Sequence, residues 1–384
     1  MSPFAAPPTP GTPPASREAA ALVAELAREP RAAGSEAEAA ARQACAGWLR
    51  ALGFQVKEER FTYSALPGRW ATPAAAAAVS GLVMLSGHVG YRGYAGAALA
   101  VLLAGGLFAA ACGVWVARRG VLVLPFMRRE GVNLIASRGA AGELPCWFMA
   151  HLDSKSQPVP IAVRAVSIVL LSVAFLLSVV YAAAQVAGAV DGSLWPYLAI
   201  LAGVCALPAM LSTVGNRSQG ALDNASGVAA VLMAAEALGE ERSVGICITS
   251  AEELGLAGSR AWISARAADA PRVVLNVDSL DDSGDTVLMW SRRKPEAIME
   301  ACGRGALSCG ARLVRRRLIP GILTDGVAVA DGGWPVVTVS RGTLRTLLRI
   351  HSERDSPELL SGTGVAETAE LLAAVADTLS GGST

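Results

Sequence analysis

Charge is scarce in this 384-residue chain: 17% of its residues are Asp, Glu, Lys or Arg, where soluble domains average about 25%. The charge present is balanced, 33 basic against 32 acidic side chains. That balance gives no reason to expect a nucleic-acid partner, which would want a basic face. Histidine is rarer still, with three in the whole chain. The seven cysteines are dispersed and none forms a CxxC pair, which argues against a disulfide framework and for buried free thiols. The start of the chain lacks a basic segment followed by an apolar run, so it does not read as a secretory signal. Residues 1–15, rich in Pro, Ala and Thr, are expected to be a disordered tail.

Hydrophobic residues make up 53% of the chain, and much of that lies in four charge-free stretches. They run from Trp70 to Tyr91, Gly93 to Ala117, Ala165 to Val190 and Gly192 to Asn216. Each exceeds the roughly 20 residues a helix needs to cross a bilayer, so four transmembrane helices are expected. They form two hairpins, 70–117 and 165–216, turning near Arg92 and Asp191. Two even insertions return the chain to one side each time. That side carries Arg69, Arg118, Arg119, Arg128, Arg129, Lys155, Arg164 and Arg217, against Arg92 alone on the other. The positive-inside rule then places the remaining domain in the cytoplasm.

The remaining pieces, 16–69, 118–164 and 217–384, read as one interrupted domain. Helices are expected at Ser16–Leu26 and Ser35–Leu52, the second capped by Ser35-Glu-Ala-Glu38. Strands are expected at Phe54–Tyr63, Val132–Ala136, Cys146–Ala150, Ser243–Ser250, Val273–Val277 and Pro335–Val339. Helices between and after them, at Ala225–Leu238, Ser259–Ala267, Pro295–Ser308 and Val365–Leu379, complete an alternating pattern. The fold class is therefore α/β: a mostly parallel twisted sheet with helices on both faces.

In such sheets chemistry gathers at the carboxyl ends of the strands. His151 and Asp153 follow one strand, Glu252 and Glu253 another, and Asp278 ends a third. Asp223 opens the turn before a helix, and His351 and Asp355 follow the last strand region. Any one of these alone is a surface charge, and Asp223 alone is an N-cap. Together they are too acidic to be buried without cations. Two histidines with several carboxylates suit zinc, with manganese or cobalt as alternatives, and a two-metal site needs a bridging carboxylate.

Five motifs carry a resemblance. They are Ala150-His-Leu-Asp-Ser154, Gly220-Ala-Leu-Asp-Asn-Ala-Ser-Gly227, Ala251-Glu-Glu-Leu-Gly-Leu-Ala-Gly-Ser259, Asn276-Val-Asp-Ser279 and Ile350-His-Ser-Glu-Arg-Asp355. Pro30-Arg-Ala-Ala-Gly-Ser35 extends it to the N-terminal piece. In this order they resemble the co-catalytic di-zinc aminopeptidases, metallopeptidase family 28 of clan MH, with a zinc-exopeptidase fold. The resemblance implies two Zn²⁺ ions bridged by Asp223, one completed by His151 and Asp278, the other by Glu253 and His351. It implies that Glu252 is the general base that activates the bridging water and then protonates the leaving amine. Asp153 would orient His151. Leu222 stands where many members have a second acid, Ile350 replaces a common aromatic, and Thr324-Asp325-Gly326 lacks the histidine of a family Ser-Asp-His segment. No residue is thereby assigned as the oxyanion donor.

The expected function is a membrane-bound zinc aminopeptidase or dipeptidase acting on a peptide or amide substrate. The alternatives are a deacylase of N-acyl or lipid-derived amides, a one-zinc glutaminyl cyclase, and a non-catalytic receptor or scaffold. The last has no need to keep Glu252 beside Glu253. The hairpins tether the domain to the bilayer, or else help admit a membrane-derived substrate. Arg315–Arg317 and Arg341, Arg345 and Arg349 read as solvated basic clusters.

Overall fold

The computed structural model describes residues 14–139, 144, 146–319 and 321–381. Most of the expected tail lies outside them, although Pro14 and Ala15 already belong to the first helix, Pro14–Leu26. The chain divides into two compact units. One combines residues up to Tyr63 with Arg128–Ser156 and Asn216 onward; the other combines Ser64–Met127 with Gln157–Gly215.

The first unit is built on an eight-stranded sheet of β1 (Gln55–Ser64), β2 (Arg128–Arg138), β3 (Cys146–His151), β4 (Val244–Thr249), β5 (Val273–Leu280), β6 (Thr286–Trp290), β7 (Leu313–Arg317) and β8 (Val336–Arg341). Their order is β1-β2-β4-β3-β5-β8-β6-β7. The central strands β4, β3, β5 and β8 are parallel, flanked by antiparallel pairings of β2 on β4 and β6 on β8. Strands β3 and β4 are buried throughout, as continuous apolar runs covered on both faces should be. On one face, Trp262, Ile263 and Val329 from helices Ala257–Ala265 and Asp325–Asp331 pack on Trp147, Met149, Cys247, Val274 and Val336. Helix Ser226–Ala237 packs on β3, β4 and β5 and is itself backed by helix Thr363–Gly381.

Strands β6 and β7 were not expected from the sequence. Leu313-Val-Arg-Arg-Arg317, expected to be a solvated basic cluster, is the last strand in the sheet order, with its three arginines exposed. Charged side chains on an edge strand discourage pairing with other chains. The cap expected at Ser35 is present: its side chain accepts from the Glu38 amide, and Glu38 Oε2 accepts from Gly34 N at 2.6 Å.

The second unit is helical. Among the described residues, three helices are long and apolar enough to cross a membrane by length and composition: Leu66–Tyr91, Ala95–Val123 and Ile161–Val186. The fourth expected span is a correction. Only Trp195–Met210 is helical, 16 residues, or about 24 Å at 1.5 Å per residue. Residues 211–215 leave the helix, so the charge-free stretch is longer than the helix it contains. These helices pack through Val83, Leu102, Leu171, Ala174, Trp195 and Ala206. At one end Gln185 ties them together, donating to Gly90 O at 2.9 Å and accepting from Trp195 Nε1 at 2.8 Å.

Candidate metal centre

The expected site residues converge at the carboxyl ends of β3, β4 and β5. His151 closes β3, the Glu252–Glu253 pair follows β4, and Asp278 lies on β5. Asp223 stands in a kinked, non-helical turn just before helix Ser226–Ala237, and the Asp223–Asn224 peptide is cis. Ala251 and His351 both adopt positive φ, 57° and 63°, a region uncommon for non-glycine residues.

Two donor groups result: His151, Glu252 and Asp278, and Asp223, Glu253 and His351. Within each, one potential ligand atom per residue lies within 4.8 Å of the others. Asp223 faces both groups. Its Oδ1 is 3.1 Å from His151 Nε2 and its Oδ2 3.1 Å from His351 Nε2. His351 Nε2 is also 3.1 Å from Glu253 Oε1, while Asp278 Oδ1 and Glu252 Oε2 each stand 4.0 Å from His151 Nε2.

His151 Nε2 and Glu253 Oε1 are buried without a hydrogen-bond partner. Such atoms are costly unless something else engages them, and an imidazole nitrogen and a carboxylate oxygen are zinc donors. Zinc therefore fits the residues present.

Electrostatics agree. Burial pushes the Glu252 carboxyl well above its usual range and Asp278 up to about 7, each also repelled by neighbouring acids. Burial acts the same way on Asp223, but the imidazoles of His151 and His351, each 3.1 Å from one of its oxygens, outweigh it and hold that carboxyl below its usual range. Burial is outweighed again at Glu253, where the charges of His351 and Lys155 bring it to about 2.

The turns are fixed by residues around them. Asp153 is fully buried, yet its carboxylate does not hold the His151 ring: Oδ1 is 3.8 Å from Nδ1. The backbone carbonyl of Asp153 engages Nδ1 instead, at 3.0 Å, which leaves Nε2 free to ligate. Asp153 thus reaches the His151 ring through its backbone, while its carboxylate accepts from the amides of Glu252 and Glu253, at 3.0 and 3.2 Å. Asp355 does the same for the bridging turn, accepting from Leu222 N at 2.6 Å and Asp223 N at 3.2 Å. Asn224 anchors that turn beside Asp278: it donates to Val277 O and accepts from Gly227 N and Ser279 N. A Cβ at Gly227 would fall 2.2 Å from Asn224 Oδ1, so glycine is required there.

Two residues of the site were not assigned from the sequence. Arg31, 1% exposed, donates to the carbonyls of Leu26, Leu152, Gln219 and Gly220. It joins the segments that carry His151 and Asp223. Lys155, counted above as a charge flanking the spans, is instead paired with Glu253, Nζ to Oε2 2.5 Å. The signal available was rarity: Lys155 is one of three lysines beside 30 arginines.

The sequence model of peptidase family M28 matches residues 133–376. Among curated proteins, none matches the chain in sequence. Among solved structures it is similar to an aminopeptidase from Aneurinibacillus sp. strain AM-1, at 13% identity and a TM-score of 0.55, covering 94% of this chain and 92% of that one. A zinc aminopeptidase from Bacillus subtilis is similar at 14% and 0.55, with 95% of each chain covered. A glutaminyl cyclase from Porphyromonas gingivalis is similar at 16% and 0.55, with 94% and 97% covered. At these identities the likeness is one of fold. The family match spans well over half of the chain and runs through every donor residue described above: the chain belongs to peptidase family M28.

Proposed function

We propose that this family member is a membrane-anchored zinc aminopeptidase or dipeptidase with two metals, in which Glu252 is the general base. The observation that carries the reading is Asp223, whose two carboxylate oxygens each face the Nε2 of a different histidine at 3.1 Å. A carboxylate so placed is built to bridge. His151 and Asp278 would complete one ion, Glu253 and His351 the other. When bound, the pair supplies Lewis acidity, lowering the pKa of water and polarising a carbonyl oxygen.

The chain's own residues do the rest. Glu252 is buried beside the first group without being needed as a ligand, and its carboxylate takes a proton from water and returns it to the leaving amine. Asp153 fixes where Glu252 and Glu253 stand by gripping both amides.

Replacing each glutamate by glutamine tests the division of labour. Glu252→Gln is expected to lose roughly 10²–10⁴-fold in turnover while keeping both metals. Glu253→Gln is expected to lose metal, with excess zinc partly restoring it. Reversed metal contents would reverse the roles, and unchanged turnover in both would sink the site assignment.

The two insertions support the membrane reading by parity. Each leaves the first unit and re-enters it, so each must cross an even number of times. On this reading the 16-residue helix Trp195–Met210 would pair with Ile161–Val186 as a short return segment. With Lys155 set aside as a buried partner of Glu253, seven arginines near the spans still oppose Arg92, which favours a cytoplasmic first unit. Reporters fused at the C-terminus and near Asp191 should fall on opposite sides; a C-terminus outside the cytoplasm overturns the orientation.

The glutaminyl cyclase among the similar structures favours a second reading, cyclisation of an N-terminal glutamine with one zinc. A screen of aminoacyl, dipeptide, N-acyl and glutaminyl substrates on purified protein, with metal counted per chain, separates the two. A stoichiometry that stays near one in saturating zinc favours the cyclase.

A further inference from the structure

We propose that Lys155 is a charge-balancing positioning residue that acts through Glu253: it occupies one carboxylate oxygen, keeps Glu253 a one-oxygen ligand, and holds down the affinity of the Asp223–Glu253–His351 group for its divalent cation. This rests on the reading of Glu253 as a metal ligand. The two oxygens of Glu253 are divided between unlike partners. Oε1 faces His351 Nε2 at 3.1 Å and accepts no hydrogen bond, whereas Oε2 lies 2.5 Å from Lys155 Nζ. The Glu253 side chain is 4% exposed and that of Lys155 17%, so solvent screens the pair little.

The placement of Lys155 is fixed from both sides. Ser154 N donates to Arg31 O at 2.9 Å and Arg31 N donates to Ser154 Oγ at 2.9 Å. On the other side Ser156 Oγ accepts from Arg217 N at 2.9 Å. The choice of side chain matters as well. A guanidinium fork would engage both oxygens of Glu253, while an ammonium is a point charge that takes one and leaves the other for metal. In a chain with 30 arginines and three lysines, lysine stands where only lysine divides the carboxylate.

A fixed positive charge beside a ligand repels the cation that ligand binds, and the repulsion is strong where water is excluded. The two donor groups are therefore unequal. The charge of Lys155 also reaches Glu252 and Asp223, but its direct contact is with Glu253, so the Glu253 group feels it most and holds its ion the more weakly and exchangeably. The sign of this effect separates it from an ordinary orienting partner, whose removal costs roughly 10–100-fold in metal affinity.

Zinc titration of the purified full-length protein in buffered free zinc, with metal analysis, tests the proposal for wild type, Lys155→Gln, Lys155→Arg and Glu253→Gln. Lys155→Gln is expected to bind the weaker metal roughly tenfold or more tighter, with turnover reduced as Glu253 closes on the ion with both oxygens. Lys155→Arg is expected to bind it less tightly than wild type. Weaker or unchanged binding in Lys155→Gln, or tighter binding in Lys155→Arg, overturns the proposal, and either variant suffices if the other does not fold. Glu253→Gln is the separate control: if it retains both metals with wild-type affinity, the ligand assignment itself fails and the proposal falls with it. If it loses one metal while the Lys155 variants do not shift, only the proposal fails.

Discussion

Asp153 holds Glu252 by its backbone: Oδ1 accepts the Glu252 amide at 3.0 Å, and Oδ2 takes the next amide along, at 3.2 Å. One buried carboxylate thus sets the backbone of both glutamates, the proposed general base and the proposed metal ligand. Asn at this position offers one acceptor oxygen and turns an NH₂ toward the other amide. Asp153→Asn should therefore leave one buried amide unpaired, costing about 1–3 kcal/mol in stability, and should lower turnover by roughly 10–100-fold. Denaturant unfolding and steady-state kinetics check both. Wild-type turnover in a folded Asp153→Asn protein would show that the grip on Glu252 is dispensable.

Arg31 satisfies four carbonyls from three separate stretches of chain. Arg31→Met removes this donor from all four, of which Gly220 O keeps the Ala225 amide at 3.0 Å, and the expected loss is on the order of 3 kcal/mol. Arg31→Lys reaches fewer of them and should recover part of it. Thermal unfolding of both variants decides; a change below about 1 kcal/mol in Arg31→Met would refute the joining role.

Chelation should destabilise the protein. Asp223, Glu252, Glu253 and Asp278 are brought together at one sheet edge, and cations that bind only the folded state stabilise it by about 2.7 kcal/mol per site at a hundredfold excess over Kd. A chelator is expected to lower Tm and added zinc to restore it. A Tm indifferent to chelator would leave the fold without a metal contribution.

The cysteines give a probe of the apolar helices. All seven are free, with Cys112 exposed, Cys309 intermediate and the others buried; burial pushes the Cys45 and Cys146 thiols up to about 12. In membranes, a water-soluble maleimide should label Cys309 and spare Cys112, because the reagent does not enter the hydrocarbon that would surround helix Ala95–Val123. Rapid labelling of Cys112 in intact membranes would argue that helix Ala95–Val123 faces water.

Much of the site was legible because strand ends are visible in sequence: a short apolar run followed by His151-x-Asp153 or Glu252-Glu253 marks both the element and its chemistry. The unread parts depend on distance. Lys155 looks like any basic residue near a span until Glu253, almost a hundred positions away, is seen beside it. Asp355 looks like a surface acid until the Leu222 and Asp223 amides close on it. Strand β7 hid behind its three arginines, since alternation is lost when an edge strand is charged at successive positions. The fourth span was overread because absence of charge marks what a segment tolerates and says little about where its helix stops.

The split between the two donor groups also orders events during synthesis. His151, Glu252 and Asp278 have all left the ribosome well before His351, and Asp355, which pins the bridging turn, comes later still. A nascent chain can therefore gather one set of donors while the other lacks its histidine and Asp223 lacks its clasp. On the two-metal reading, a second ion would load only in the final stretch of translation, and a chain truncated before His351 would gather Asp223, Glu252, Glu253 and Asp278 with His151 as their one histidine partner.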